Sequence, residues 1–369
     1  MKTDKETIYV SSPLMPEYEE YVEAIRGLWE SRMLTNNGVN LRTLEKAIGE
    51  YLGEEFVSIY TNGTLPIIAA CHALNLKGEV ITTPYTFIAT AHALRWSNLQ
   101  PVFADVDPFT GNLNPEKIEA LITKDTCAIL PVHVYGQPCD TNFIGEIANR
   151  HGLSVIYDAA HAFGVRKEGK SITHEGTFAT LSFHATKVFN TLEGGAIICK
   201  DEAMKEHLDR LRNFGFKSET EITTVGINAK MDEMRAIYGL LNLKKVNEAI
   251  SYRKQMAECY VQELQTLEGL TLPNYISGID YNYSHFPILF KDKESREKIY
   301  NELKRYNIYS RRYFYPLVTH FAPYNKCKGA DNIPVASDMS ERVLCLPIHT
   351  NLSTDDVHLI SQLIAENIR

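Results

Sequence analysis

At 369 residues, with 44% hydrophobic and 23% charged side chains, the chain has the composition of an ordinary globular protein, long enough for one large core and a smaller companion. Its formal charge of −8, with 38 Lys and Arg dispersed among 46 Asp and Glu, leaves no basic patch for a phosphate backbone and no polybasic membrane anchor, so neither nucleic acid nor a membrane is expected as a partner. The seven cysteines (Cys71, Cys127, Cys139, Cys199, Cys259, Cys327, Cys345) are odd in number and contain no Cys-x-x-Cys pair, which argues against a disulfide framework and against a zinc site.

The opening segment MKTDKETIYVSSPLM has no apolar run of the signal-peptide kind, and no later stretch reaches the length of a membrane span, so a cytoplasmic location is expected. Short apolar runs then recur between helical stretches: FVSIY (56–60), EVITT (79–83), PVFADV (101–106), CAILPVHV (127–134), LSVIYDA (153–159) and TLSFHA (180–185). Each is too short for a helix and too uniformly apolar for a strand with one wet face. The fold class predicted is α/β, a mostly parallel central sheet with helices on both faces. The segment GINAKMDEMRAIYGLLNLKKVNEAISYRKQMAECYVQELQTL keeps a helical period for about ten turns, and so long a helix is expected to bend or break while bridging domains. Beyond residue 270 the strand-like SHFPILF and VLCLPIH mix with the amphipathic KESREKIYNELKRYN and DDVHLISQLIAENI, the texture of a smaller α+β domain. The expected division is 1–250 for the large domain and 251–369 for the small one.

Open parallel sheets bind ligands at the carboxyl ends of their strands, so the residues after each apolar run carry the interest. Asn62-Gly63-Thr64 follows the first run and opens a helix, where backbone N–H groups suit a phosphate; on its own the turn reads as a helix cap made by Asn62. Phe87, after the second run, is placed either to stack on a flat ring or to fill the core. Asp158 ends the fifth run. A carboxylate there needs a partner, either a helix N-terminus or a cationic heterocycle nitrogen, and the nearby His161 reads locally as a core histidine. Lys187, in SFHATKVFNTLEGGAI, follows a strand in an uncharged stretch and precedes a glycine pair that permits close backbone approach to a further strand. A partly desolvated ammonium loses its proton readily and becomes a nucleophile able to form a Schiff base. Lysine, phosphate turn and carboxylate together match the needs of pyridoxal 5′-phosphate.

The motifs PYTFIATAHAL, FADVDPFTGNL, PVHVYGQPCD, DAAHAFG, SFHATK followed by EGGAI, LRNFG and GINAKMDEMRAIYGLLNL, in this order, resemble the DegT/DnrJ/EryC1/StrS nucleotide-sugar aminotransferases, a branch of fold-type I pyridoxal phosphate enzymes. The resemblance runs from Tyr9 to the last helix. Within the family it is closest to members that convert dTDP-4-dehydro-6-deoxyglucose to dTDP-4-amino-4,6-dideoxyglucose for O-antigen. It implies that Lys187 forms the Schiff base and that Asp158 pairs with the pyridine nitrogen. Phe87 falls on the stacking aromatic, and Asn62, Gly63, Thr64 and Ser182 on the phosphate turn. Asn228 falls on an asparagine given to the phosphate by the neighbouring subunit, and His161 stands beside the cofactor's ring oxygen where many members have glutamine. Tyr9, Thr35, Asn36, His184, Tyr313, Phe314 and Tyr315 fall where the family lines its substrate pocket. The same resemblance implies L-glutamate as amino donor, a nucleotide-linked ketosugar as acceptor, and a homodimer with shared active sites.

Alternatives within the family are a 3-keto sugar aminotransferase and a sugar dehydratase; some dehydratases have histidine in place of the lysine, whereas this chain keeps Lys187. From another class comes a non-enzymatic sensor or scaffold retaining the fold, which a visible band indifferent to every amino donor would distinguish.

Overall fold

The computed structural model describes residues 7–368. Seven strands build the central sheet: β1 (Phe56–Tyr60), β2 (Glu79–Thr82), β3 (Gln100–Phe103), β4 (Thr126–Leu130), β5 (Ser154–Asp158), β6 (Phe178–Ser182) and β7 (Gly195–Cys199). Their spatial order is β1-β7-β6-β5-β4-β2-β3. β7 is antiparallel to both β1 and β6, while the remaining pairs are parallel. The connection explains the reversal. Between β6 and β7 the chain has only residues 183–194, a loop that holds Lys187 but no crossover helix, so it turns back beside β6.

The helices along this part of the chain are α1 (Tyr18–Ser31), α2 (Val39–Leu52), α3 (Thr64–Ala73), α4 (Ile88–Trp96), α5 (Thr141–His151), α6 (Glu202–Leu211) and α7 (Glu233–Leu264). Side chains alternate across the sheet into two separate cores. Val57 and Ile59 of β1 and Val155 and Tyr157 of β5 pack with Leu44 and Ile48 of α2 and Ile144 of α5. Tyr60 and Ile156, one position out of phase, pack with Ile67 of α3, Leu94 of α4 and Leu208 of α6. With both faces dry, the strands read as continuous apolar runs rather than alternating ones.

α7 is one unbroken helix of 32 residues, so it does not divide in two. It contains no proline and no glycine pair to kink it. Its first half gives Ala236 and Val246 to the large core. Its second half gives Met256, Tyr260 and Leu264 to a third core, shared with β9 (Phe286–Phe290) of a three-stranded sheet whose other strands are β8 (Leu270–Thr271) and β10 (Val343–Leu346). Residue 250, the expected domain boundary, lies within α7 near this exchange of partners. α8 (Lys293–Arg305), α9 (Pro334–Arg342) and α10 (Thr354–Asn367) complete this part. No helix among the described residues is long and apolar enough to cross a membrane, and all seven cysteines are unpaired.

A buried ionic clamp fixes β1 where it enters the site. Arg212 NH1 donates to Glu45 Oε1 at 2.5 Å and to the Ile59 carbonyl at 2.6 Å, and Glu45 Oε1 accepts the Ile59 N–H at 3.0 Å. Arg212→Met would leave the Glu45 carboxylate short of its main partner. We expect a loss of about 3 kcal/mol, the low end for a broken buried pair, because Lys205 still reaches Glu45 Oε2 at 3.3 Å. Urea denaturation of the variant measures it, and an unchanged midpoint would contradict the assignment of the clamp.

Candidate active site

The carboxyl ends of β1, β4, β5 and β6, with the turn after β2, open on one cavity of about 650 Å³, where ligands are expected in a doubly covered parallel sheet. Asn62, Gly63 and Thr64 line it after β1. The Asn62 side chain caps α3, its Oδ1 accepting the N–H groups of Thr64 (3.0 Å) and Leu65 (3.1 Å), as the local sequence suggested. That leaves the Gly63 amide and the hydroxyls of Thr64 and Ser182 for an anionic ligand. Gly63 has to be glycine, since a Cβ there would come within 2.6 Å of Ser182 Cβ and Oγ. The second glycine of the Gly194–Gly195 pair, the first residue of β7, has a similar reason: a Cβ on Gly195 would lie 2.4 Å from the Asn62 carbonyl oxygen.

Asp158, at the end of β5, is 6% exposed. Its Oδ2 accepts the Thr90 hydroxyl at 2.8 Å and its Oδ1 the Ala160 N–H at 3.1 Å. Among the described residues no lysine or arginine is ion-paired with it. Burial therefore raises its carboxyl above the ordinary range, against the opposing pulls of Thr90, Ala160 and Lys187. A buried carboxylate short of a cation on a cavity wall is a receptor for one. Lys187 lines the same cavity, and burial lowers its amine to about 8, opposed by the Asp158 charge. Its Nζ has no hydrogen-bond or ion-pair partner among the described residues. Phe87 is 59% exposed beside these groups, which removes the core-packing alternative.

His161 answers a question the sequence left open. Its Nδ1 accepts the Tyr135 N–H at 3.2 Å, so the ring proton is assigned to Nε2. Burial, reinforced by Lys187 and His285, keeps it neutral. His285 stands 4.5 Å away between ring centroids, and burial lowers it to about 3. Ser284 Oγ donates to the Tyr135 carbonyl at 2.7 Å, so its 3.0 Å contact with His285 Nδ1 needs the proton on that nitrogen. The cavity is thus offered one imidazole donor and one imidazole acceptor.

Of the remaining sequence candidates, Ser182, His184, Tyr313 and Phe314 line the cavity. Tyr9, Thr35, Asn36, Asn228 and Tyr315 do not line it within a single chain. Tyr9 is held in a strand pair with Tyr309 and stacks on that ring, although its successors Val10 and Ser11 reach the cavity. The Thr35–Asn36 segment follows Leu34, whose carbonyl accepts the Glu233 N–H at the start of α7. Asn228 is exposed and bridges to Asn213. Tyr315 lies under the guanidinium groups of Arg296 and Arg312, at 4.7 and 5.1 Å. Among the cavity residues that escaped the sequence reading are Thr90, His285 and Arg235. Thr90, on α4, stands four residues after Thr86 at the entry to that helix, and the two hydroxyls meet at 2.9 Å.

Thr90→Val should lower turnover about tenfold, since a hydrogen bond to a charged group contributes roughly 1.5–3 kcal/mol, and Thr90→Ser should restore most of it. Steady-state kinetics of both variants is the check; equal rates for valine and threonine would show that Asp158 needs no such hold.

The assembled groups can receive a flat cationic ring, with its nitrogen at Asp158, its face on Phe87, an anionic substituent at the Gly63–Thr64 turn and a carbonyl at Lys187. Residues 16–365 match the DegT/DnrJ/EryC1/StrS aminotransferase family. The chain is 44% identical over 361 residues to a dTDP-4-amino-4,6-dideoxy-D-glucose transaminase of Shigella dysenteriae, covering 97% of this chain and 98% of that protein. It is 43% identical over 363 residues to one of the same name from Escherichia coli, with 97% and 98% coverage. Among solved structures, DesI in the presence of its TDP-sugar product superposes with a TM-score of 0.94 at 32% identity, covering 99% of this chain and 93% of DesI.

Proposed function

The chain belongs to the DegT/DnrJ/EryC1/StrS aminotransferase family and is a sugar-nucleotide transaminase, and from that premise we propose that it transfers the amino group of L-glutamate to dTDP-4-dehydro-6-deoxy-D-glucose, giving dTDP-4-amino-4,6-dideoxy-D-glucose. The observation that carries this reading is the convergence of Lys187, lowered to about 8, and the cation-deficient Asp158 on one cavity beside the Gly63–Thr64 turn. The names of the two bacterial relatives support the sugar and the nucleotide.

These residues fit pyridoxal 5′-phosphate. When bound, that cofactor supplies an aldehyde that carries the amino group and a ring that accepts the electron pair released on C–H cleavage. Asp158 would hold the proton of the ring nitrogen, the Gly63, Thr64 and Ser182 donors would bind the phosphate, and Phe87 would cover one ring face. Lys187 Nζ would take the proton from the donor carbon and would return one to the carbonyl carbon of the acceptor sugar in the second half-reaction. The neutral His161 and His285 offer hydrogen bonds without adding charge beside Lys187. One site serving both half-reactions in turn implies ping-pong kinetics.

Our reading includes a homodimer with shared sites. In support, Asn228 stands on an exposed segment whose apolar side chains Phe214, Ile222 and Val225 are 46%, 63% and 91% exposed, a surface suited to burial against a second copy.

The test is incubation with the cofactor, L-glutamate and a panel of dTDP-, UDP- and GDP-linked 4-keto and 3-keto sugars, followed by NMR location of the new C–N bond. The expected product carries nitrogen at C4 of the dTDP sugar. Preferred amination at C3, or of another nucleotide's sugar, would overturn the substrate assignment while keeping the reaction class.

A further inference from the structure

Arg235, in the first turn of α7, lines the cavity, and Lys187 is the only other lysine or arginine among the described residues that does. Its five donors can be accounted for one by one. Nε bonds Asp232 Oδ2 at 2.6 Å, and NH1 bonds the carbonyls of Thr61 (3.1 Å) and Glu193 (3.4 Å). The two NH2 hydrogens have no partner among the described residues. Asp232, which caps α7 through the Arg235 N–H, fixes the guanidinium from behind. Thr61 immediately precedes the Asn62-Gly63-Thr64 turn. The charge is therefore tied to that turn by a direct hydrogen bond.

The turn needs such a charge. A phosphate monoester carries −1.5 to −2 at neutral pH, whereas Gly63, Thr64 and Ser182 offer only neutral donors. The α3 terminus, the usual supplement, has two of its amides occupied by the Asn62 carbonyl oxygen. The Glu193 carboxylate lies 3.7 Å from His184 Nε2, while its backbone carbonyl holds Arg235.

Resting on the cofactor reading above, we propose that Arg235 is the cationic member of the cofactor's phosphate site, offering its NH2 edge to the phosphate dianion. Thr61, Glu193 and Asp232 are then the positioning groups that set that edge.

The experiment titrates the apoprotein with pyridoxal 5′-phosphate, with pyridoxal, which lacks the phosphate, and with dTDP, following absorbance and fluorescence. Arg235→Gln should weaken pyridoxal 5′-phosphate about thirtyfold, the scale of a lost charge-assisted hydrogen bond, and leave pyridoxal and dTDP unchanged. Equal loss for both vitamers would make the residue merely structural. No loss for either, or a loss confined to dTDP, would also overturn the proposal, the last by moving Arg235 to the nucleotide's diphosphate. A parent protein that binds neither vitamer would sink the cofactor reading instead. Should the variant fail to fold, the parent holoenzyme still decides: its phosphorus NMR signal should stay at the dianion position through pH 6, near which a free phosphate ester takes up a proton, and a signal that titrates there refutes the cationic partner.

Discussion

Replacing Lys187 with alanine should abolish amino transfer, lowering turnover by about a thousandfold or more, because the proposed mechanism gives one side chain the parts of both nucleophile and proton carrier. Burial lowers its amine from 10.5 to about 8, so at pH 7 roughly a tenth of it is neutral, against roughly one part in three thousand for an ordinary lysine. Capture of an aldehyde by the parent should accordingly rise with pH through about 8 and level off above it. The variant should fold, since the side chain lines an open cavity and holds no other group in place. The sign of its pH effect follows from linkage: the folded chain gives up a proton between about 8 and 10.5 that the unfolded chain keeps, so Lys187 makes stability rise with pH across that window. Alanine removes that slope. Absorbance after cofactor addition, single-turnover assays with glutamate and pH-dependent melting test the three statements, and normal turnover by the variant would sink the assignment.

Asp158→Asn should retain cofactor yet slow both half-reactions by about 10²–10⁴, because an amide cannot balance a ring-nitrogen cation in a dry site. Asparagine is isosteric and can still accept the Thr90 hydroxyl or the Ala160 amide. Stability should move the other way in the apoprotein. The Asp158 carboxyl is raised by burial, so the folded chain holds a proton that the unfolded chain releases, and this contribution is lost as pH rises from the ordinary carboxylate range upward. The variant escapes that loss and should melt higher near neutral pH without cofactor, with a smaller gain on cofactor addition. Calorimetry with and without pyridoxal 5′-phosphate reads both. Parent-like rates would remove Asp158 from the chemistry, and a melting point lowered without cofactor would mean that the carboxylate has a structural partner.

The sequence by itself determined the sheet and the order of its chemistry. The apolar runs from Phe56 to Ser182 announce strands buried on both faces, since hydrophobic burial acts through a few adjacent residues and leaves its pattern in the chain. Lys187, Asp158 and the Asn62–Thr64 turn stand out because each follows such a run. Only the tertiary structure decided how far those groups are desolvated, and which neighbours tune them. Thr90 meets Asp158 across 68 positions, His285 meets His161 from the residue just before β9, and Arg235 reaches Thr61 across 174. The physical reason is one of range: strand and helix periods are written locally, whereas a proton's affinity and a guanidinium's direction depend on distances between segments that no spacing along the chain records.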